Sequence, residues 1–366
     1  MTGPRLRIVH TESSLGWGGQ ELRILAEAQG LLCRGHEVRL VCAGGSRIEA
    51  EAANWGVRAT ALPIAKKRPA GLRALVRWLR EHPCVVVVSH SSTDSWLAAL
   101  ALLALGRPAP LVRLRHISAP VPKDPLTRWL YTRATARIVT TGEALRRQLL
   151  TENRFPAERI VSVPTGMDPG RYRPGERAAA RAALGLPADR FLVGIVATLR
   201  SWKGHRDLLE AIAQLPQDIA LAVVGDGPQR RVLEEHASRL GLGARVRFAG
   251  EQADVLPWLQ ALDLFALPSY ANEGVPQALV QAMLVELACV TTTVGAIGEL
   301  AEHERTALVV PPRDPAALAA AIARLAADAG LRSELGRAAR RRCVEDYTLE
   351  RMLDRIEALY REIAHA

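Results

Sequence analysis

The chain is predicted to be an α/β protein with two doubly wound parallel sheets, and three observations predict it. Apolar strand-length runs alternate with helix-length segments along the sequence. Runs such as Cys84-Val85-Val86-Val87-Val88 are apolar without alternation, as strands covered on both faces are. A stretch rich in Pro, Gly and Arg, from Pro169 to Arg190, interrupts the pattern once near the middle. With 366 residues, each half has enough chain for its own core.

In the first half, strands are expected at 5–10, 37–43, 84–89, 110–115, 136–140 and 160–163, with helices at 19–34, 68–81, 94–105, 123–134 and 142–152. The second half restarts with strands at 191–197, 219–224, 245–249, 263–267, 288–292 and 307–310. Its helices are expected at 204–214, 228–240, 254–261, 276–286, 315–327 and 331–344, followed by an amphipathic helix over Leu349–Ile363. The domain plan is therefore 1–170, a linker at 171–190, 191–345, and a terminal segment at 346–366. Ligands in such sheets sit at the carboxyl ends of the strands, so a two-domain version is expected to hold its site in a cleft.

Composition narrows the class. The longest apolar run, Trp96–Leu105, is too short for a bilayer, which takes about 20 residues. Met1 leads directly into an apolar run with no signal-like segment, which predicts a cytoplasmic protein. The five cysteines are scattered without C-x-x-C spacing, so buried free thiols are expected rather than a disulfide frame or a zinc site. Residues 1–170 hold 24 Lys and Arg against 13 Asp and Glu, while residues 171–366 hold 24 against 25. The basic excess lies entirely in the first half and predicts an anionic partner there: a membrane surface, a phosphorylated acceptor or nucleic acid. No zinc-finger spacing or aromatic-interleaved basic run supports nucleic acid.

Several groups could carry chemistry. Gly16-Trp17-Gly18-Gly19-Gln20-Glu21 follows the first strand, where glycines admit a phosphate close to backbone N–H groups or simply make a tight turn. Glu21 occupies the third glycine position of the dinucleotide pattern, and Arg230 does so after Gly225-Asp226-Gly227. Arg200 and Lys203 follow the strand at 191–197, where two cations can hold a diphosphate or belong to a solvated loop. His116 ends a first-domain strand, either as a polar contact to a sugar hydroxyl or as a structural histidine.

Glu273 stands in the loop between the strand at 263–267 and a helix opened by Pro276, and that helix N-terminus suits an anion. Lys66-Lys67-Arg68 with the helix at 71–80 could lie on an anionic bilayer or pack on the sheet, two readings that differ in whether Trp78 is exposed. No D-x-D occurs, so no carboxylate-held metal is expected.

Taken together and in this order, these motifs resemble glycosyltransferase family 4, the retaining group 1 transferases of GT-B fold. The markers are Gly18-Gly19, Arg200…Lys203-Gly204, Val163-Pro164-Thr165-Gly166-Met167-Asp168, Val224-Gly225-Asp226-Gly227-Pro228, and Ser269 through Gln281. The resemblance implies that Arg200 and Lys203 hold the donor diphosphate, that Glu273 contacts donor sugar hydroxyls, and that Gly18 and Gly19 approach the phosphate. It implies that His116 stands near the donor sugar and that the C-terminal helix crosses back onto the first domain. The implied catalytic set is Glu273, His116, Arg200 and Lys203. The implied donor-binding set is Gly18, Gly19, Arg200, Lys203, Asn272, Glu273, Gly274, Val275 and Gln281, with no metal and no cofactor.

The sequence departs from the family at two positions. Gln281 stands where the family has a second Glu for the nucleotide ribose, and Gln accepts there without charge. Pro276 replaces a glycine beside the phosphate and removes an N–H donor. The expected function is retaining transfer from a nucleotide-sugar to an acceptor hydroxyl, of a lipid-linked or phosphorylated glycan such as a polysaccharide or lipopolysaccharide precursor. The expected place is the cytoplasm, with peripheral contact at the inner membrane face. A nucleotide-sugar epimerase of similar architecture and an inactive nucleotide-sugar-binding protein are the alternatives.

Overall fold

The computed structural model describes residues 4–364. Residues 1–3 and 365–366, at the outer limits of the expected first domain and terminal helix, lie outside the described residues. The chain forms two compact units: the sequence up to Pro164 together with that from Glu350 onward, and Thr165–Leu349.

The first unit holds a parallel sheet of seven strands: β1 (Arg7–Glu12), β2 (Glu37–Ala43), β3 (Arg58–Leu62), β4 (Val86–Ser89), β5 (Leu111–Arg115), β6 (Arg137–Thr140) and β7 (Ile160–Ser162), in the order β3-β2-β1-β4-β5-β6-β7. Helices α1 (Gly19–Cys33), α2 (Arg47–Ala52), α3 (Pro69–Glu81), α4 (Ser92–Ala104), α5 (Pro125–Trp129) and α6 (Glu143–Thr151) connect them. Val86, Val87 and Val88 are fully buried, as an apolar run covered on both faces requires.

Two differences from the sequence expectation have local causes. β3 has one exposed Arg and a half-buried pattern because it pairs only with β2, so it lacks the apolar signature of an inner strand. The expected helix at 123–134 runs over 125–134, as α5 continued without a break by a π-helical turn at Leu130–Ala134; Asp124 starts it, accepting from the Thr127 N–H at 2.9 Å.

The amphipathic helix α3 turns its apolar face inward. Trp78 is 7% exposed and stacks on His82 with ring centroids 4.3 Å apart. Leu75 and Leu79 are buried beside it. The bilayer reading required an exposed Trp78, and the core has taken that face instead.

The second unit begins with α7 (Arg177–Leu184), whose Arg181 donates to Asp263 at 2.5 Å and to the Ala261 carbonyl at 2.9 Å. Its six parallel strands are β8 (Phe191–Val196), β9 (Ile219–Val224), β10 (Val246–Gly250), β11 (Leu264–Leu267), β12 (Ala288–Thr291) and β13 (Leu308–Val309), ordered β10-β9-β8-β11-β12-β13. The helices are α8 (His205–Ala213), α9 (Arg230–Arg239), α10 (Leu256–Ala261), α11 (Gln277–Leu284), α12 (Pro315–Ala327) and α13 (Ala329–Asp346). Pro276 lies just outside α11 as its N-cap residue. All five cysteines are free thiols. No helix among the described residues is long and apolar enough to cross a membrane.

The final helix, α14 (Leu349–Ala364), belongs to the first unit from Glu350 onward. Leu353, 1% exposed, fills the space left by Gly30, where an added Cβ would come within 2.4 Å of it. Arg34 reaches Glu350, Asp354 and Glu357 on α14, and the Tyr360 hydroxyl donates to buried Glu27 at 2.6 Å. Removing the Leu353 side chain leaves a cavity that this seam cannot close. Leu353→Ala is therefore expected to destabilise the first unit by about 2–5 kcal/mol in denaturant unfolding, and a change under about 1 kcal/mol would contradict this packing.

Candidate active site

Both sheets reverse their winding once. In the first, the strands on either side of the reversal are β1 and β4; in the second, β8 and β11. The helices following such a pair leave in opposite directions, so the carboxyl ends of the two strands open onto a crevice. Gly18, Gly19, Arg200, Lys203 and residues 272–275 lie where these strands lead into the next helices, while His116 follows β5, the neighbour of β4, and Gln281 lies within α11.

In the second unit, β8 leads through Arg200 and a 3-10 turn at Ser201–Lys203 into Gly204, which has φ +74°. An added Cβ on Gly204 would lie 2.1 Å from the Pro268 carbonyl oxygen, so only glycine lets this loop pass so close to its neighbour. That neighbour follows β11, and Tyr270 N–H donates to the Trp202 carbonyl at 2.9 Å. Lys203 Nζ consequently meets Glu273 Oε1 at 2.6 Å, with the carboxylate buried and the ammonium half-buried. Arg200 is exposed beside them, its guanidinium 5.8 Å from the Trp202 ring centre.

Asn272 holds φ +58° in the turn leading to α11, and Gly274 and Val275 are buried. The backbone N–H groups of Asn272, Glu273, Gly274 and Val275 donate to no protein acceptor among the described residues. Gly295, with φ +60°, passes so close that a Cβ there would lie 2.1 Å from the Glu273 carbonyl oxygen. A cation pair, one buried carboxylate and a run of N–H groups thus share one crevice. The arrangement can hold an oxyanion and accept from hydroxyl groups.

Gln281 is buried in the middle of α11. Its amide donates to Tyr172 Oη at 3.0 Å and lies 3.5 Å from Met167 Sδ. The amide nitrogen is thus committed to the Met167–Tyr172 segment.

In the first unit, Gly18 is the N-cap residue of α1 and Gly19 its first residue, with Gly18 extended at φ 174° and half-buried. Glu12, ending β1, accepts from Ser14 N–H at 2.7 Å, Gln20 at 2.5 Å and the Ser91 hydroxyl. Asp94 accepts from Thr11 Oγ1 at 2.9 Å, Ser13 Oγ at 3.2 Å, and the N–H groups of His90 and Ser91 at 2.9 Å each. Ser91 and Asp94 form a capping box at the start of α4. Burial raises the Glu12 carboxyl despite its hydrogen bonds. Burial, then the nearby Glu12 charge, lifts Glu21 to about 7 and Asp94 to about 8.

His116 follows β5 and is half-buried. Its Nε2 lies 3.1 Å from His90 Nδ1, and His90 Nε2 lies 2.9 Å from His10 Nδ1. Burial, reinforced by the charges of Arg23, Arg115 and Arg113, holds His116 well below the ordinary imidazole value.

The structure therefore brings Arg200, Lys203, Asn272, Glu273, Gly274 and Val275 together in one unit, and sets Gly18, Gly19 and His116 in the other. The sequence reading omitted Glu12, Asp94, His10 and His90. The S-x-x-D pattern of Ser91 and Asp94, directly after a buried strand, was a usable signal for Asp94. Nothing in the sequence signalled the pairing of His10 with His90.

Comparison with known proteins agrees with this fold. A solved Anabaena HepE in complex with UDP-glucose superposes with a TM-score of 0.88 at 22% identity, covering 98% of this chain and 100% of that one. A glycosyltransferase of Rickettsia africae superposes at 0.87 with 19% identity, covering 98% of each chain. These likenesses establish the GT-B class of fold. The glycosyltransferase family 4 model matches residues 17–171, and the model of group 1 glycosyl transferases matches residues 190–328. The chain belongs to this family of group 1 glycosyltransferases.

Among curated relatives, a D-inositol 3-phosphate glycosyltransferase of Saccharomonospora viridis is 31% identical over 240 residues, 62% of this chain and 55% of that protein. A putative glycosyltransferase EpsF of Bacillus subtilis is 30% identical over 221 residues, 57% of each. The chain thus spans little more than half the length of these relatives.

Two outcomes follow from the site's geometry. Gly295→Ala forces a Cβ against the Glu273 carbonyl at a positive φ, so a stability loss of roughly 1–3 kcal/mol is expected, and wild-type stability would contradict the close approach. Glu21 has a folded pKa raised above its ordinary value of 4.5, so its ionisation costs stability as pH rises from about 4.5 to about 7. Glu21→Gln should therefore gain on wild type by about 2 kcal/mol at pH 8 and show no gain near pH 4. Unfolding curves across that range check it, and a pH-independent difference would refute it.

Proposed function

We propose that this protein is a retaining glycosyltransferase that moves a sugar from a nucleotide-sugar donor to an acceptor hydroxyl. The observation that carries this reading is the Lys203 ammonium 2.6 Å from the Glu273 carboxylate at the winding reversal of the second sheet. Arg200 lies on the same loop as Lys203, and the N–H groups of residues 272–275 belong to the same loop as Glu273.

The donor diphosphate displaces Lys203 partly from Glu273 and is held by Lys203, Arg200 and the N–H groups of residues 272–275. Glu273, relieved of its cation, accepts from donor sugar hydroxyls. Gly18 and Gly19 approach the phosphate, His116 takes a sugar hydroxyl, and Gln281 offers its carbonyl to the nucleotide. The acceptor hydroxyl attacks the face from which the nucleoside diphosphate departs, and the departing phosphate oxygen takes its proton. Charge on the leaving group is met by Arg200 and Lys203 without a metal or other cofactor. No second carboxylate stands beside Glu273 in this scheme, so a covalent glycosyl-enzyme is disfavoured.

The basic first half supports a phosphorylated or lipid-linked acceptor, a cell-envelope glycan precursor met at the inner membrane face. With the apolar face of α3 buried, surface contact falls to the exposed side chains of Lys66, Lys67 and Arg68. The solved HepE complexes with UDP and UDP-glucose make uridine diphosphate sugars the first donors to try. The engagement of Gln281 by Tyr172 favours a second reading, a nucleotide-sugar-binding protein with altered ribose contact.

The test is nucleoside diphosphate release from UDP-, GDP- and ADP-sugars, with and without membrane extract. Transfer predicts release from one donor that depends on acceptor, reduced about 100-fold or more in Glu273→Ala and Lys203→Ala. Donor conversion without acceptor would indicate an epimerase. Donor binding with no release would favour the binding protein.

A further inference from the structure

Three imidazoles of the first unit form one hydrogen-bonded file. His116 Nε2 pairs with His90 Nδ1 at 3.1 Å, and His90 Nε2 with His10 Nδ1 at 2.9 Å. The far nitrogen, His10 Nε2, is buried without a hydrogen-bond partner and faces Glu27 Oε1 at 3.9 Å. Glu27, itself fully buried, accepts from Tyr360 Oη at 2.6 Å and stands 3.8 Å from Arg23 Nε. Glu27 thus has a donating hydroxyl at one carboxyl oxygen and a guanidinium near the other, and presents oxygen acceptors toward His10. At the other end, His116 Nδ1 has no protein partner among the described residues.

Burial, then the flanking histidines and Arg23, keeps His90 well below the ordinary imidazole value, and burial lowers His10 against the pull of Glu27. With His116 lowered as well, all three rings are neutral near pH 7. A neutral imidazole carries one N–H, so the file has only two polarities. With protons on every Nδ1, a bare His10 Nε2 lone pair faces the Glu27 carboxylate in a dry interior. With protons on every Nε2, an N–H dipole points at that carboxylate, and His116 Nδ1 is left bare. Low local dielectric magnifies the difference between the two.

We propose that Glu27, acting through His10 and His90, fixes the tautomer of His116 so that His116 presents a bare Nδ1 as hydrogen-bond acceptor for a ligand hydroxyl. The ligand part rests on the sugar-transfer reading above; the tautomer does not. Glu27, His10 and His90 are positioning residues, and only His116 touches the ligand. An acceptor nitrogen at this place selects a free hydroxyl and rejects a fluoro or O-methyl group in its stead, because neither can donate.

The experiment is side-chain nitrogen NMR of the full chain with 15N-labelled histidine, at pH 7. In the wild type, His116 Nδ1 is expected to resonate as an unprotonated nitrogen, with couplings across both N–H···N bonds. Glu27→Gln puts a donor as well as an acceptor opposite His10 and so allows both polarities; the His116 Nδ1 signal moves toward the protonated position and kcat falls roughly tenfold. Tyr360→Phe removes one hydrogen bond to the same carboxyl group but keeps its two oxygens opposite His10, so its His116 signal stays at the wild-type position.

Protonated Nδ1 on wild-type His116, or a His116 signal unmoved by Glu27→Gln, overturns the proposal. Equal displacement in Tyr360→Phe also overturns it, since that would be packing damage alone. The spectra are read without substrate, so the predicted tautomers with no turnover of any donor count against the sugar-transfer reading and leave the polarity standing.

Discussion

The single reversal of winding in each sheet is the constraint on which everything else rests. Strand-to-strand crossovers in a parallel sheet are right-handed, so helices that follow strands winding outward in opposite directions end on opposite faces. Between them the strand ends stay uncovered. In the first sheet this occurs between β1 and β4, in the second between β8 and β11. Lys203 and Glu273 lie far apart in sequence, yet two adjacent parallel strands deliver their loops to one spot. The chemistry is therefore a product of topology first and of side chains second.

The two units treat charge differently at these places. The second pairs a buried carboxylate, Glu273, with the half-buried Lys203 ammonium, which keeps one face toward solvent. The first buries Glu12, Asp94, Glu27, Arg23, His10 and His90, with His116 half-buried next to His90. Buried polar groups of this kind are costly unless hydrogen-bonded, and the Asp94 carboxyl meets four donors from Thr11, Ser13, His90 and Ser91. Such a network holds geometry firmly and tolerates little substitution.

Much of this could be read from the sequence because parallel sheets write themselves in apolar blocks. The strands β2 and β9 and the helix α12 keep their expected limits, and most other elements shift by one to three residues at their ends. β3 escaped because an edge strand packs too little apolar surface to stand out. Arg200, Lys203 and Glu273 could be singled out as charges placed directly after buried strands. The behaviour of Gln281 could not, because Tyr172 reaches it from 109 residues away. Nor could the histidine file, whose members are separated by 80 and 26 residues and meet only through strand pairing.

The return of α14 to the first unit has a consequence for how the protein is made. The Tyr360–Glu27 contact joins residues 333 apart, and Arg34 reaches 316 and 323 residues ahead to Glu350 and Glu357. On the ribosome, the first unit emerges early but lacks the helix that covers Gly30 and Glu27 until the entire second unit has been translated. Its seam of exposed apolar surface must wait, at elongation rates of roughly 5–20 residues per second, for on the order of ten seconds or more. Completion of the half made first is thereby timed by synthesis of the half made second.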